Sequence, residues 1–198
     1  PMVHRPMIAP MTEGDYRCDV LYAGTRSPHK QRLLEELLAL MPGLDLLITG
    51  SFWDQTPKDS PLWAHFDDGV RKNCAYAEVI QRARINIAFH FGPDKRGWED
   101  QVSTRTFEIP ACGGFMLHID NQELRDCFEP GVECDVFADM ASLAERIRFY
   151  LDHPEKRHAI LAAGKRRADA EHSFHHRAER LSALMLGIDP ASVEPARL

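Results

Sequence analysis

The sequence predicts an α/β protein with a Rossmann-like, mostly parallel sheet flanked by helices and a C-terminal helical extension. Short apolar runs typical of buried strands alternate with amphipathic stretches between residues 18 and 138. From Ser142 onward the apolar residues follow helical spacing only. Strands separated by helices within one chain form parallel sheets with right-handed crossovers, and this fixes the expected architecture.

The first strand and helix are the most sharply defined elements. The apolar run 18–24 ends on Gly24, Ser27 follows as an N-cap, and Pro28 occupies the first helical position. The helix that follows has its apolar residues at helical spacing. These are Leu33, Leu34, Leu37, Leu38 and Met41.

The later elements repeat this alternation. Residues 51–70 read as a loop with one short strand around Trp63 to Phe66. The other strands are predicted at 44–50, 85–91, 115–119 and 134–138, with helices at 75–83, 104–112 and 121–127 and from 142 onward.

Length and composition allow one well-cored domain. The chain has 198 residues, of which 44% are hydrophobic and 27% charged. We expect a flexible lead-in at 1–17, a Rossmann-like domain at 18–186 that includes the C-terminal helices, and a tail at 187–198.

Several classes are disfavoured. A net charge of −6 argues against a nucleic-acid surface. No apolar run approaches the roughly 20 residues of a membrane span, and the N-terminal segment lacks the apolar core of a signal peptide. Five cysteines without a C-x-x-C pair indicate reduced thiols and a cytoplasmic location. The histidines at 172–176 have no suitably spaced carboxylate, so we interpret them as surface or packing residues and predict no metal site.

In parallel sheets, ligands bind beyond the carboxyl ends of the strands. At the end of the first strand Gly24 would let a ligand approach the backbone, and the next helix begins with N–H groups suited to an anion. Thr25, Arg26 and Lys30 lie on the same turn. His90 ends the third strand and faces the same crevice. An ordinary βα turn with solvated basic residues is the alternative.

The segment 103–117 contains a second candidate site. In a short helix starting at Thr104, Arg105 and Glu108 lie three residues apart on one face, where they could bind a ligand or simply form a salt bridge. Arg suits a diphosphate, and a carboxylate suits a ribose or sugar diol. The remaining candidate ligand residues of the segment are Thr106, the αL-cap residue Gly113 and Gly114, which opens space for close backbone approach.

Asp100 stands upstream, with seven residues between it and Glu108. It could reach the same bound molecule from a loop, or it could be a solvated loop carboxylate. Trp53, in the loop after the second strand, could stack on a base or anchor that loop.

The stretches "DVLYAGTRSPHKQRLLEELL", "INIAFHF", "TRTFEIPACGGFML" and "YLDHPEKRHAILAAG" occur in this order. Together they resemble the C-terminal, donor-binding half of GT-B glycosyltransferases, nearest to the glycosyltransferase group 1 branch with spore-maturation-type proteins. The resemblance covers residues 18 to about 185, and "RTFEIPACGGF" is its most specific part.

The resemblance implies a donor site for a nucleoside diphosphate sugar, UDP-sugars included, with no required metal or other cofactor. Its signature is an acid, seven residues and a Glu. Glu108 matches the ribose-binding Glu, while Asp100 stands where the family has a longer Glu, a place that Glu99 could also fill. Gly24, Arg26 and Lys30 match the turn that approaches the diphosphate. Arg105 is the candidate that neutralises the leaving diphosphate.

A complete enzyme of this kind needs a second domain for its acceptor, for which 198 residues leave no room. We therefore expect a missing N-terminal domain or partner chain, an unknown acceptor, and nucleotide binding with little transfer by this chain alone. The alternative is a non-catalytic nucleotide- or nucleotide-sugar-binding module. A dehydrogenase is disfavoured because no G-x-G-x-x-G follows a strand, and a receiver domain because the first turn lacks clustered acids.

Overall fold

A computed structural model describes residues 11–67, 69, 73–90, 97 and 100–189. Its strands form one six-stranded parallel sheet in the order β3-β2-β1-β4-β5-β6. The strands are β1 (Cys18–Ala23), β2 (Leu46–Thr49), β3 (Phe66–Asp67), β4 (Ala83–Ala88), β5 (Met116–Ile119) and β6 (Asp135–Phe137). The helices are α1 (Pro28–Leu40), α2 (Asn73–Gln81), α3 (Thr104–Ala111), α4 (Gln122–Cys127), α5 (Met140–Asp152), α6 (Pro154–Glu171) and α7 (Phe174–Met185).

The predicted fold class is confirmed. β1 pairs with β2 on one side and with β4 on the other, in the registers Val20 with Leu46 and Val20 with Ile85. The chain therefore reverses its direction of winding between β1 and β4. In sheets of this order the crevice outside the carboxyl ends at the reversal is the usual ligand position.

Two hydrophobic layers cover the sheet. α1 and α5 bury Leu34, Leu37 and Ile147 against one face. α2 and α3 bury residues including Ile80 and Ile109 in the layer on the other face. Burial on both faces explains why the strands read as near-continuous apolar runs rather than alternating ones.

The start of α1 is as predicted. Ser27 is the N-cap, its hydroxyl accepts a hydrogen bond from Lys30 N at 3.2 Å, and Pro28 begins the helix. The cap fixes where the helix begins and so holds the turn after β1 in place.

The loop after β2 differs in detail from the prediction. Trp63 lies in a 3₁₀ helix, Pro61–Ala64, and the short strand comes after it at Phe66–Asp67. The strand predicted at 85–91 begins earlier, at Ala83, and ends at Ala88. Residue 91 lies outside the described residues.

Residues 1–10 and 190–198, parts of the predicted lead-in and tail, lie outside the described residues. Residues 11–17 pack against the domain, because Glu13 on the 3₁₀ helix Glu13–Asp15 forms ion pairs with Arg84 and Arg157. None of the described helices is both long enough and apolar enough to cross a membrane.

Candidate functional site

The candidate site lies where β1 and β4 end and α1 and α3 begin, here called the carboxyl edge. Its residues are Gly24, Thr25, Lys30, Phe89, His90 and Arg105. β1 and β4 are neighbours in the sheet, and α1 and α3 cover opposite faces of it, so the ends of the two strands lie between two helix N-termini.

Arg105 is held directly over the end of β1. Its Nη1 donates to the carbonyl oxygen of Phe89 at 3.2 Å, and its guanidinium carbon lies 5.3 Å from the centre of the Tyr22 ring. A Cβ atom added to Gly24 would come within 2.7 Å of Arg105 Nη2. A glycine is therefore required at position 24 for this arginine to keep its place.

The salt bridge between Arg105 and Glu108 that the sequence allowed is not formed. Within the described part of the chain Arg105 has no carboxylate within ion-pair distance, and its hydrogen bonds go to Phe89 and Tyr22. A guanidinium bonded to neutral oxygens keeps its full positive charge available to an anion.

Lys30 is a buried cation at the same edge. Only 1% of its surface is exposed, and Nζ donates to the carbonyl oxygen of Thr25 at 3.1 Å. Burial, and secondarily the charge of Arg105, lower the pKa of Lys30 to about 8, while Asp100 acts in the opposite direction. Two positive charges therefore lie close together, and an anion bound beside them would stabilise the charged form of both side chains.

Arg26 points away from these two cations. Its Nε and Nη2 both donate to Gln31 Oε1, at 3.0 and 2.6 Å, so its side chain lies along the first turn of α1. Its backbone N donates to Ser51 O at 3.0 Å and ties the turn to the loop after β2. In the ligand-free structure Arg26 flanks the turn and does not contact Arg105.

Asp100 and His90 line a cleft of about 140 Å³ on the α1 side of the carboxyl edge. His90 is 7% exposed. Burial, followed by the charge of Arg105, lowers the pKa of His90 to about 4, so its ring is neutral at pH 7. Glu99, the other acid considered for this place, lies outside the described residues.

Glu108 lies on the side of α3 opposite to the cleft of His90 and Asp100. Its carboxylate lies near Tyr76 on α2: burial, followed by the negative charge of Glu108, raises the pKa of Tyr76. Glu108 and the exposed Thr104 line a cavity of about 260 Å³ between α3 and α7. Tyr76 was not among the residues predicted from the sequence, because nothing local to it signals a contact 32 residues away.

Thr106 has a structural position rather than the predicted ligand contact. It is completely buried, and its hydroxyl lies 2.9 Å from His118 Nε2. His118 Nδ1 lies 2.7 Å from Ile119 O, a carbonyl that can only accept, so Nδ1 carries the proton and the Thr106 hydroxyl donates to Nε2. The hydroxyl also accepts from Ser103 N at 3.1 Å and so fastens the start of α3 to β5.

Gly113 and Gly114 lie at the other side of the sheet, at the edge where the strands begin, here called the amino edge. α3 starts at the carboxyl edge, and its eight residues carry the chain about 12 Å away from it. Gly113 has the predicted αL conformation, with φ +76°. A Cβ on Gly114 would lie 2.5 Å from Ile80, so this glycine serves helix packing. The ligand contacts predicted for both glycines do not fit the structure.

Trp53 and His172 both have structural roles. Trp53 is 1% exposed and its Nε1 donates to Gly24 O at 2.8 Å, so it anchors its loop and is not placed to stack on a base. His172 packs its ring on Phe107 and Phe128.

Within the described ranges, no three His, Cys, Asp or Glu side chains are grouped so as to hold a metal ion.

Solved structures share this fold. Sucrose-phosphate synthase from Thermosynechococcus elongatus is 16% identical with a TM-score of 0.68, over 86% of this chain and 45% of that one. Anabaena HepE, solved in complex with UDP and glucose, is 14% identical with a TM-score of 0.68, over 86% of this chain and 49% of that one. The chain thus spans about half the length of these neighbours.

A third structure matches nearly as a whole. The C-terminal domain of a glycosyl transferase group 1 family protein from Francisella tularensis is 7% identical with a TM-score of 0.57, over 78% of this chain and 86% of that domain. The fold is therefore that of one Rossmann-like domain of the GT-B glycosyltransferases.

No curated protein matches the chain. A family model described as glycosyl transferase-like matches residues 26–183, which contain α1, α3 and every strand except β1. The chain therefore belongs to the glycosyl transferase-like family.

Proposed function

We propose that this chain is the donor-binding domain of a glycosyltransferase that transfers a sugar from a nucleoside diphosphate to an acceptor. One observation carries the proposal. Arg105 and the buried Lys30 converge at the switch point of the sheet, where Arg105 donates to the carbonyl oxygen of Phe89 and Lys30 to that of Thr25. Two partly desolvated cations beside a helix N-terminus form a site for a diphosphate.

Glycosyl transfer requires such a site. Glycosyl transfer breaks the bond between the anomeric carbon and the diphosphate oxygen, and the electron pair leaves with the nucleotide. Negative charge therefore grows on the departing diphosphate. Arg105, Lys30 and the first N–H groups of α3 would stabilise that charge where water is largely excluded.

The other contacts follow from the two sides of α3. Glu108 would accept the hydroxyl hydrogens of the ribose, with Thr104 beside it. Gly24, Thr25 and Arg26 would bring the first turn to the diphosphate. Asp100 would contact the donor sugar, since it lies in the same cleft as His90.

We propose that transfer needs no metal, because protein cations already occupy the place where a divalent ion would neutralise the diphosphate. Of the possible bases, UDP is the first to test, since HepE was solved with UDP and glucose. We place the chain in the spore-maturation-type branch on the motifs quoted above, and in the cytoplasm on its cysteine content.

The acceptor would be bound by a second domain, either elsewhere in the same protein or on a partner chain. The half-length match to two of the neighbours supports this. A second candidate function is a non-catalytic nucleotide-sugar-binding module. The shorter Asp100, where the family has Glu, favours that reading.

Calorimetry with UDP, GDP, ADP and their sugar conjugates tests the proposal, with and without EDTA. We expect one diphosphate to bind with an affinity that EDTA leaves unchanged, and Glu108→Ala to weaken it about tenfold or more. Loss of binding on chelation would contradict metal independence. If none of the compounds binds, the donor-site proposal fails for this chain.

Glu133→Ala is the matched control. Glu133 is a carboxylate paired with Arg167 on α6, away from the carboxyl edge, and its removal should leave affinity unchanged. Hydrolysis of the sugar conjugate, or transfer once an acceptor domain is added, would separate the enzyme from the binding module.

A further inference from the structure

His90 holds an unpaired ring nitrogen at the carboxyl edge. The residue is 93% buried, since 7% of its surface is exposed, and Nε2 has no hydrogen-bond partner among the described residues. Buried polar atoms in native proteins are nearly always paired, so this one requires an explanation.

The protonation state of the ring follows from its surroundings. Burial, followed by the charge of Arg105, lowers the pKa of His90 to about 4, so the ring is neutral at pH 7. One ring nitrogen then carries a hydrogen and the other a lone pair.

The neighbours keep the ring neutral. His118, itself uncharged because burial lowers its pKa to about 3, lies with its ring centre 5.1 Å away. Arg105 and Lys30 both disfavour a charge on His90, whereas the backbone of Gln101 and Asp100 favour it. In the neutral ring, Nε2 can either donate or accept one hydrogen bond.

A hydroxyl both donates and accepts, so it can pair with Nε2 in either form of the neutral ring, whereas a phosphate oxygen can pair with it only when Nε2 carries the proton. A sugar presents several hydroxyls. We infer that His90 Nε2 makes a hydrogen bond with a hydroxyl of the donor sugar, and that His90 thereby distinguishes a nucleotide sugar from the bare nucleoside diphosphate. The inference rests on the proposed function, because it assumes that the diphosphate lies at Arg105 and Lys30.

The position of His90 agrees with this division. Its cleft contains Asp100, Gln101 and the first turn of α1 at His29, on the α1 side of the carboxyl edge. Glu108 lies on the opposite side of α3, facing α2 and α7. A ligand with its diphosphate at Arg105 would place its ribose on one side and its sugar on the other.

Two substitutions separate this role from a structural one. His90→Asn has a shorter side chain and loses the polar atom at the position of Nε2. His90→Gln places an amide oxygen near the position of Nε2. The probes are matched pairs of a nucleoside diphosphate and its hexose conjugate: UDP with UDP-glucose, GDP with GDP-mannose and ADP with ADP-glucose.

We expect His90→Asn to weaken the conjugate about tenfold and the bare diphosphate less than twofold, and His90→Gln to recover most of the loss. Equal losses for both members of a pair, or no loss for either, would overturn the role of His90 while leaving the donor site intact. If the unsubstituted chain binds neither member of any pair, the proposed function fails, and this inference fails with it.

Discussion

At the amino edge of the sheet Arg84 and Arg157 pair with carboxylates, whereas Arg105 at the carboxyl edge donates to neutral oxygens. Arg84 pairs with Asp19 at 2.9 Å and with Glu13 at 3.1 Å, and Arg157 pairs with Glu13. Arg105 donates to the carbonyl oxygen of Phe89 and to the hydroxyl of Tyr22. Charges at the amino edge are compensated within the chain and hold it together. The guanidinium of Arg105 has no carboxylate partner among the described residues, so its charge is available to a ligand.

Replacing one arginine at each edge is the strongest test of this difference between the two edges. We expect Arg105→Ala to weaken binding of the cognate diphosphate by one to two orders of magnitude, since a charge-assisted contact contributes about 1.5–3 kcal/mol. The free energy of unfolding should change little. Calorimetry and denaturant melts measure the two quantities.

Arg84→Ala should behave in the opposite way. It removes a partly exposed ion-pair network, so stability should fall by about 1 kcal/mol while affinity stays the same. A similar loss of affinity in both variants would mean that the two edges do not differ in function.

The two glycines at the strand ends give a second test. A Cβ on Gly24 collides with the tip of the flexible Arg105 side chain, so Gly24→Ala should cost affinity, about tenfold, with little loss of stability. A Cβ on Gly50 would instead lie 2.2 Å from the backbone oxygen of Gly24, and Gly50 has φ +140°. Gly50→Ala should therefore destabilise the fold by more than about 2 kcal/mol. Unfolding of Gly24→Ala to the same extent would contradict this assignment.

The buried lysine predicts a pH dependence. Burial and Arg105 lower the pKa of Lys30 to about 8 in the free protein, and a bound diphosphate would raise it by stabilising the charged form. Affinity should then be constant well below pH 8 and fall as the pH rises above it, by up to about tenfold per pH unit. Titrations from pH 6.5 to 9.5 measure the profile, and Lys30→Met should remove this decline. An affinity that rises above pH 8 would rule out Lys30 as a ligand-facing cation.

The smallest effect concerns Tyr76. Tyr76→Phe removes a hydroxyl that lies near Glu108, so affinity for the diphosphate should fall only about threefold. Tyr16→Phe, at the amino edge, is the control and should leave affinity unaltered. Calorimetry at one pH suffices, and an effect as large as that of Glu108→Ala would mean that Tyr76 itself contacts the ligand.

The sequence was most informative where the signal is local. Ser27 with Pro28 fixed the start of α1, and Gly113 marked the end of α3, because caps depend on adjacent residues. Arg105 and Lys30 followed from the rule that parallel sheets bind ligands at the carboxyl ends. The same rule was overextended to Gly113 and Gly114, which α3 carries to the opposite edge.

Contacts between distant segments could not be predicted from the sequence. The bond of Thr106 to His118 and the anchoring of Trp53 on Gly24 each join elements whose relative placement depends on the packed core, and so does the proximity of Glu108 to Tyr76. Side-chain direction decided these cases. Thr106 and Glu108 are two residues apart on one helix, yet one faces the sheet and the other the α3–α7 cavity.

Hydrogen exchange of backbone amides with and without saturating nucleotide sugar tests the central claim most directly, because it reads both edges of the sheet in one experiment. We predict slower exchange at 24–30 and 104–108 on addition of UDP-glucose or the conjugate that calorimetry identifies, and no change at 13–19 and 154–160. Protection confined to the amino edge, or none at 24–30 and 104–108 under saturating ligand, would contradict the assignment of the carboxyl edge as the donor site.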